Sequence, residues 1–195
     1  RWPMAHSRAS PRMQVDSTWS SANLRVVRWK IGDKTVVKVC HRVIAELTEE
    51  AFELITDAGL APYVDVTSTR TSGGCYHART VRALGSTSGV NLSVHSWGAA
   101  LDFNVRGNCL GCVPTLRCEI VQIFRALGFA WGGNFLTPDG MHFEYVGTPR
   151  HHVPTRVGDY CPTVSPTGPQ PASPRGSPSS SSSANAPWDH VLARN

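Results

Sequence analysis

The segment Leu24–Gly59, LRVVRWKIGDKTVVKVCHRVIAELTEEAFELITDAG, contains the clearest structural signals in the chain. Its first part, Leu24 to Val39, alternates between apolar and polar residues and is rich in β-branched residues, with Gly32-Asp33 near the middle. Two alternating runs that are joined by a two-residue turn are typical of a β-hairpin. We therefore expect two antiparallel strands here.

The second part of this segment predicts an α-helix from Val43 to Ala58. Its apolar residues recur at the spacing of one helix face, and Gly59 follows where a helix-terminating glycine belongs. Those apolar residues are Val43, Leu47, Ala51, Leu54, Ile55 and Ala58. A further helix is predicted from Thr115 to Leu127, with Gly128 as its stop.

Shorter elements fill the rest of the chain. Val64 to Thr67 and Met141 to Val146 read as strands, and Tyr76 to Leu84 reads as a helix that ends at Gly85. Strands and helices do not alternate in a regular order. The expected fold is therefore α+β, with a small antiparallel sheet flanked by helices, rather than a doubly wound sheet.

The composition indicates one globular domain. Of the 195 residues, 41% are hydrophobic, which is enough for a core. We expect this domain at residues 24–161, after a loosely ordered polar arm at 1–23. Residues 162–195 are rich in Pro and Ser and predict a disordered tail or linker, through which a further module would be joined.

Charge and hydropathy exclude several classes of protein. No apolar run approaches the roughly 18 residues that a membrane span needs, and residues 1–15 lack the apolar core of a signal peptide. The net charge of +5 favours anionic partners. Because the basic residues are scattered and not interleaved with aromatic ones, we do not expect nucleic-acid binding.

Six cysteines leave two chemical interpretations. They are Cys40, Cys75, Cys109, Cys112, Cys118 and Cys161. A structural metal site would need the Cys109-x-x-Cys112 pair and Cys118, with Cys75 or Cys161 as fourth ligand. Only one such pair exists, so buried thiols or a single disulfide are the favoured expectation, and the redox compartment stays open.

Two segments carry residues suited to metal chemistry: SVHSWGAALD at 93–102 and PDGMHFE at 138–144. Together they offer two imidazoles and a carboxylate, from His95, His142 and Asp102. Three protein ligands and an open fourth position are what a catalytic zinc requires. Each of these residues alone would more often be an ordinary surface or turn residue, so only their combination is informative.

The local spacing allows these side chains to converge. His95 and Asp102 would point to opposite faces of a straight strand, but Gly98 between them permits a bend. On the later strand, His142 and Glu144 share one face, and the apolar residues between and beside them face the core. Asp139 lies in the preceding Pro-Asp-Gly turn, at the mouth of that strand.

The combined motif resembles the D-alanyl-D-alanine carboxypeptidase family of zinc peptidases. This family includes bacterial carboxypeptidases, dipeptidases and phage endolysins that cut between L-alanine and D-glutamate. The matching residues are Ser93, His95, Gly98, Ala100, Asp102, Trp131-Gly132-Gly133, Asp139, His142, Phe143 and Glu144. The resemblance covers roughly residues 43–147 and extends more loosely to Ser68-Thr69-Arg70.

The resemblance implies a Hedgehog/DD-peptidase-like fold and a role for each matching residue. His95, Asp102 and His142 would bind Zn²⁺, and Asp139 would be the general base. Arg70 would contact the substrate carbonyl or carboxylate. Glu144 would either orient a ligand imidazole or replace Asp139 as the base.

The resemblance also implies the reaction, which is hydrolysis of peptide bonds in peptidoglycan stem peptides. The bond would be of the D-Ala-D-Ala or the L-Ala-D-Glu type. The protein would then act at the bacterial cell wall, either secreted or released from the cytoplasm as a lysin, and the basic charge and trailing linker favour a phage-type lysin. One alternative is a catalytically inactive, zinc-stabilised cell-wall-binding module. Another is a purely structural wall-anchoring protein.

Overall fold

Three α-helices and two small antiparallel sheets make up the described part of the chain, and this confirms the expected α+β class. The computed structural model describes residues 15–66, 74–81, 92–147 and 160–161. The helices are α1 (Ser17–Asn23), α2 (Arg42–Asp57) and α3 (Cys118–Ala126). The strands are β1 (Leu24–Ile31), β2 (Lys34–His41), β3 (Ala100–Asp102), β4 (Phe129–Trp131) and β5 (His142–Tyr145). Short 3₁₀ helices cover Ala61–Tyr63, Val94–Trp97 and Gly132–Asn134.

The predicted hairpin is confirmed. β1 and β2 pair along their whole length, from Leu24 opposite His41 to Ile31 opposite Lys34. Gly32 in the connecting turn has a φ of +59°, a conformation that glycine adopts without steric cost. On the inner face, Trp29 is fully buried and its Nε1 donates a hydrogen bond to Thr48 Oγ1 of α2 at 3.0 Å. The hairpin is thereby packed onto α2.

Two of the three predicted helices are also found, one of them with a shifted start. α2 spans Arg42–Asp57, and Gly59 after its end has a φ of +70°. α3 begins at Cys118 rather than at Thr115. The reason is that the buried Asn108 side chain accepts hydrogen bonds from the backbone N–H groups of Thr115 and Leu116, at 2.8 and 3.0 Å, which holds these residues in a loop.

The second sheet has the strand order β3-β5-β4 and is largely buried. Behind it lies an aromatic core built from α2, α3 and the sheet itself. Phe124 of α3 lies 4.5 Å from Phe143 of β5 between ring centroids, and 5.6 Å from Phe52 of α2. Phe143 also stacks on Phe103 at 5.3 Å. This core fixes the back of β5.

Two predicted short elements are wrong over the described residues. Residues 76–81 of the helix expected at Tyr76–Leu84 are not helical, because their backbone groups bond to other segments: the Tyr76 N–H donates to the Val39 carbonyl at 2.9 Å. Residues 64–66 of the strand expected at Val64–Thr67 lie in no strand. Instead, the Asp65 backbone exchanges hydrogen bonds with Asn104. The remainders of both elements lie outside the described residues.

Part of the expected N-terminal arm has regular structure. Residues 17–23 form α1, which is capped by Asp16, whose side chain accepts a hydrogen bond from the Trp19 N–H at 2.8 Å. The Trp19 ring lies 5.7 Å from that of Trp97 and 6.1 Å from that of His41. Residues 1–14 and 162–195 lie outside the described residues, and the domain boundaries stay predictions.

The expectation for the cysteines is wrong. All six form disulfides, which are Cys40–Cys75, Cys109–Cys112 and Cys118–Cys161. No thiol is therefore left for a structural metal site. Two of the bridges join segments that lie far apart in the chain, so local spacing carried no sign of the pairing. In the part of the chain described here, no helix is long and apolar enough to cross a bilayer.

Candidate metal centre

Three side chains from separate segments converge on one buried point. The His95 Nε2 atom lies 3.0 Å from Asp102 Oδ1 and 3.1 Å from His142 Nδ1, and the third edge, between His142 Nδ1 and Asp102 Oδ1, is 2.9 Å. The exposed fractions of these residues are 2%, 9% and 8%. Among the described residues, this is the group of His, Cys, Asp and Glu side chains that could hold a metal ion.

The turn at Gly98 directs His95 and Asp102 to the same place. His95 lies on the 3₁₀ helix Val94–Trp97, and Gly98 follows with a φ of +68° before β3 begins. A Cβ atom at Gly98 would lie 2.9 Å from the His41 backbone nitrogen, so a larger residue would clash with the hairpin. This bend was predicted from the sequence, and the structure has it.

The register of β3 and β5 supplies the third side chain. Asp102 lies directly opposite His142 in this antiparallel pair, while Leu101 and Phe143 form the neighbouring pair and point into the core. Side chains alternate between faces along a strand, so one face of this pair is apolar and the other carries the candidate ligands. The ligand positions are thus fixed by the packing of the core.

Each candidate ligand imidazole is anchored through its second nitrogen. The His95 Nδ1 atom lies 2.8 Å from the backbone carbonyl oxygen of Cys75, and the His142 Nε2 atom lies 3.3 Å from Glu144 Oε2. A hydrogen atom on His95 Nδ1 is donated to this carbonyl, which leaves the Nε2 lone pair facing the shared point. Partners of this kind fix the tautomer and the orientation of metal-bound histidines.

The donor set fits a zinc ion. Zinc bonds to nitrogen and oxygen of about 2.0–2.2 Å place tetrahedral donor atoms roughly 3.3–3.6 Å apart, and the three edges here are within a few tenths of an ångström of that range. The charges also fit. Burial raises the pKa of Asp102, but the His142 and His95 imidazoles beside it outweigh burial and hold this pKa well below its usual range. The carboxylate is therefore ionised and attracts a cation.

Asp139 lies beside this group, on the loop before β5. Its pKa is raised mainly by burial, an effect that the nearby positive charge of His142 opposes and the negative charge of Asp102 reinforces. Its Oδ1 atom is buried and has no hydrogen-bond partner among the described residues. Gly132 accommodates this loop, since a Cβ atom there would lie 2.6 Å from the Asp139 carbonyl oxygen. A buried carboxylate oxygen that lacks a partner is suited to accept a proton.

Arg79 lies beside the candidate metal centre and was not predicted from the sequence. Its Nη2 atom lies 3.9 Å from Asp102 Oδ2, and its side chain is mostly buried. The backbone of Arg79 is fixed by Ser96, the residue after His95. The Ser96 hydroxyl donates to the Arg79 carbonyl at 2.6 Å and accepts from the Arg79 N–H at 2.9 Å. No local pattern marks this arginine, because an extended segment carries it to the site. Arg70, which was predicted instead, lies outside the described residues.

A buried group of two imidazoles and a carboxylate, with a further carboxylate beside it, is an arrangement that zinc-dependent hydrolases use. Residues 86–145 match the family model described as D-alanyl-D-alanine carboxypeptidase. This match confirms the family resemblance that the sequence motifs indicated and supports a peptidase of the zinc carboxypeptidase type. Comparisons with curated proteins and with solved structures give no significant match.

Proposed function

We propose that this protein is a zinc metallopeptidase that hydrolyses peptide bonds in bacterial peptidoglycan stem peptides. The observation that carries the proposal is the buried triangle formed by His95, Asp102 and His142, in a segment that matches a peptidase family. Burying two imidazoles and a carboxylate together costs free energy, and a bound metal ion would offset that cost. We also propose that the fold is of the Hedgehog/DD-peptidase type.

The residues around the site suit amide hydrolysis. A zinc ion held by these three residues would supply the Lewis acidity that activates water and polarises a carbonyl at neutral pH. Asp139 would take the proton of the attacking water and deliver it to the leaving amine. Its buried, partnerless oxygen supports this role, because a carboxylate that is not neutralised by a hydrogen bond remains basic.

Two further side chains would support the reaction. Arg79 presents a fixed positive charge beside Asp102, and we propose that it stabilises negative charge developing on the substrate carbonyl or holds a substrate carboxylate. Arg70, which was predicted for this role from the sequence, stays a second candidate for it. Glu144 would keep His142 in the required tautomer, since its carboxylate lies beside the outward nitrogen of that ring.

The proposed site of action is the bacterial cell wall. Disulfides persist in oxidising environments and are rare in reducing cytosols, so three of them in the described residues favour a protein that works outside the cytoplasm. A secreted enzyme and a lysin released from the cytoplasm both fit this. The basic charge of +5 suits the anionic polymers of the wall.

Hydrolysis of purified peptidoglycan tests the proposal. The protein should release new amino termini, a zinc chelator should stop this, and added zinc should restore it. Mass spectrometry of the products then identifies the bond, since a D-Ala-D-Ala cut releases free alanine and an L-Ala-D-Glu cut separates the peptide from the sugar-linked alanine. Binding of zinc and of peptidoglycan without any hydrolysis would instead favour the inactive wall-binding module.

A further inference from the structure

We propose that the Cys40–Cys75 disulfide is a positioning element of the metal centre, which holds the Cys75 carbonyl where it orients His95. This inference rests on the proposed zinc site. It predicts that the affinity of the protein for zinc depends on this disulfide and is independent of the other long-range disulfide, Cys118–Cys161.

The carbonyl in question belongs to a short extended segment, residues 74–77, that lies between the hairpin and the metal centre. Gly74 exchanges two backbone hydrogen bonds with Asp102, both 3.3 Å long. The Tyr76 N–H donates to Val39 of β2, and the His77 N–H donates to the carbonyl of His95, each at 2.9 Å. The segment therefore touches two of the three candidate ligands through its backbone.

These contacts are few, and the segment belongs to neither sheet. It is held by single hydrogen bonds and an isolated bridge rather than by a continuous ladder. The Cys40–Cys75 bond adds a covalent link from the end of β2, with the two Cα atoms 5.0 Å apart. Both cysteines are almost fully buried, at 0% and 2% exposed. The disulfide is thus the strongest link between this segment and the hairpin.

The link acts on the metal centre through one hydrogen bond. His95 Nδ1 donates to the Cys75 carbonyl at 2.8 Å, which leaves Nε2 aimed at Asp102 and His142. If the segment moved, His95 would lose both the fixed ring orientation and the fixed tautomer. Loss of such a partner weakens metal binding by about 10–100-fold in comparable sites.

The chain contains a matched control. Cys118 and Cys161 are 43 residues apart, close to the 35 that separate Cys40 and Cys75, so both bonds restrict the unfolded chain to a similar extent. Cys118 begins α3, and the carbonyl of Cys161 accepts a hydrogen bond from Arg125, also of α3. No hydrogen bond described here joins this pair to a candidate metal ligand.

The first test compares two double variants, C40S/C75S and C118S/C161S, in non-reducing buffer. Their zinc dissociation constants are measured by competition with a chromophoric chelator, and their unfolding midpoints are measured without metal. We expect similar losses of stability, but a dissociation constant raised about 10–100-fold only in C40S/C75S. An equal change in both variants, or no change in either, would overturn the inference. Failure of the wild-type protein to bind zinc would instead overturn the proposed function.

A second test uses the unaltered protein, so it does not depend on whether a variant folds. In a glutathione buffer, each disulfide takes two electrons and two protons from two glutathione thiols, giving two cysteine thiols and one glutathione disulfide. Because coupling is reciprocal, zinc should shift this equilibrium toward the intact Cys40–Cys75 bond by the same 10–100-fold factor. Alkylation followed by peptide mass spectrometry measures the fraction of each cysteine pair that remains disulfide-bonded. Equal protection of Cys118–Cys161 would contradict the inference.

Discussion

The two antiparallel sheets of this protein differ in how they are formed and in what they carry. β1 and β2 are consecutive strands joined by a two-residue turn, and their outer face is exposed, with Val26 and Val37 each 57% exposed. In the β3-β5-β4 sheet, β3 pairs with β5 across an intervening helix and strand of the chain, and β3 and β4 are entirely buried. The long hairpin provides a scaffold, while the short buried sheet holds the candidate metal ligands.

This difference has a physical reason. Electrostatic interactions are stronger where water is excluded, so a metal-binding group gains most from a buried sheet whose strands are packed on a rigid core. Asp102 and His142 meet there as a cross-strand pair. A substitution in the metal-binding sheet should therefore impair chemistry, and one in the hairpin, apart from the disulfide-bonded Cys40, should affect stability alone.

The largest contrast is expected between His142→Ala and Val37→Ala. Loss of His142 removes a candidate ligand, so zinc affinity should fall by more than about 100-fold and peptidase activity should disappear. Val37 lies on the exposed face of the hairpin, and its replacement should change stability by less than about 0.5 kcal/mol. Zinc titrations and peptide hydrolysis measure both variants. Wild-type zinc affinity in His142→Ala would refute the assignment of this ligand.

On the loop beside the metal-binding sheet, Asp139→Asn should separate binding from catalysis. The amide keeps the shape of the side chain but cannot take up a proton, so turnover should fall by about 10²–10⁴-fold. Zinc content should stay at the wild-type level, because Asp139 is not among the three converging donors. Steady-state kinetics with metal analysis tests this. If Asp139→Asn stays active and Glu144→Gln does not, the base is Glu144.

In the hairpin, Trp29→Ala should lower stability with little effect on the metal centre. The Trp29 ring is fully buried against Phe52 of α2, 4.8 Å away between centroids. Its removal leaves a cavity and takes away the hydrogen bond that the Thr48 hydroxyl accepts, although this hydroxyl still donates to the Ala45 carbonyl. The expected cost is about 3–5 kcal/mol in the free energy of unfolding. Urea denaturation gives that cost. A zinc affinity reduced in proportion to the stability would show that the two sheets are more tightly coupled than proposed.

The smallest expected effect is the pH dependence of the metal-free protein. Burial lowers the pKa of His142, but hydrogen bonds to Asp102 and Glu144 outweigh burial and raise this pKa to about 9 from an ordinary value of 6.5. The folded protein thus holds this proton more tightly than the unfolded chain. The resulting stability is complete below about pH 6.5 and is lost as the pH rises through about 9.

Thermal unfolding between pH 6 and 10 in the presence of a chelator tests this dependence, with His142→Gln as the control that should lack it. Zinc competes with the proton for His142, so stabilisation by zinc should increase over the same range of pH. A metal-free protein whose melting temperature rises from pH 6.5 to 9 would contradict the described hydrogen bonds.

The same contrast between the sheets explains how much of the fold could be predicted from the sequence. The hairpin and α2 were predicted to within about two residues, because turn residues, alternation and the helix-ending Gly59 are local signals. Residues 76–81 were wrongly predicted as helical, since their structure depends on bonds to Val39 and His95 that no local pattern reveals. The two long-range disulfides and the late start of α3 at Cys118 also depend on contacts outside the local sequence.

The candidate site was partly predictable. His95, Asp102 and His142 were expected to meet, because the motif combines ligand chemistry with a bend at Gly98, and the structure does bring them together. Arg79 was missed because its extended segment was taken for a helix. The anchoring role of the Cys75 carbonyl could not be predicted, since a backbone group leaves no mark on the sequence.

Anomalous diffraction at the zinc edge, from crystals grown with zinc, tests the central claim most directly. We expect one strong peak per chain, about 2.0–2.2 Å from His95 Nε2, Asp102 Oδ1 and His142 Nδ1. A peak bound to other residues, or no peak at a zinc concentration that saturates the peptidase activity of this protein, would contradict the proposed site.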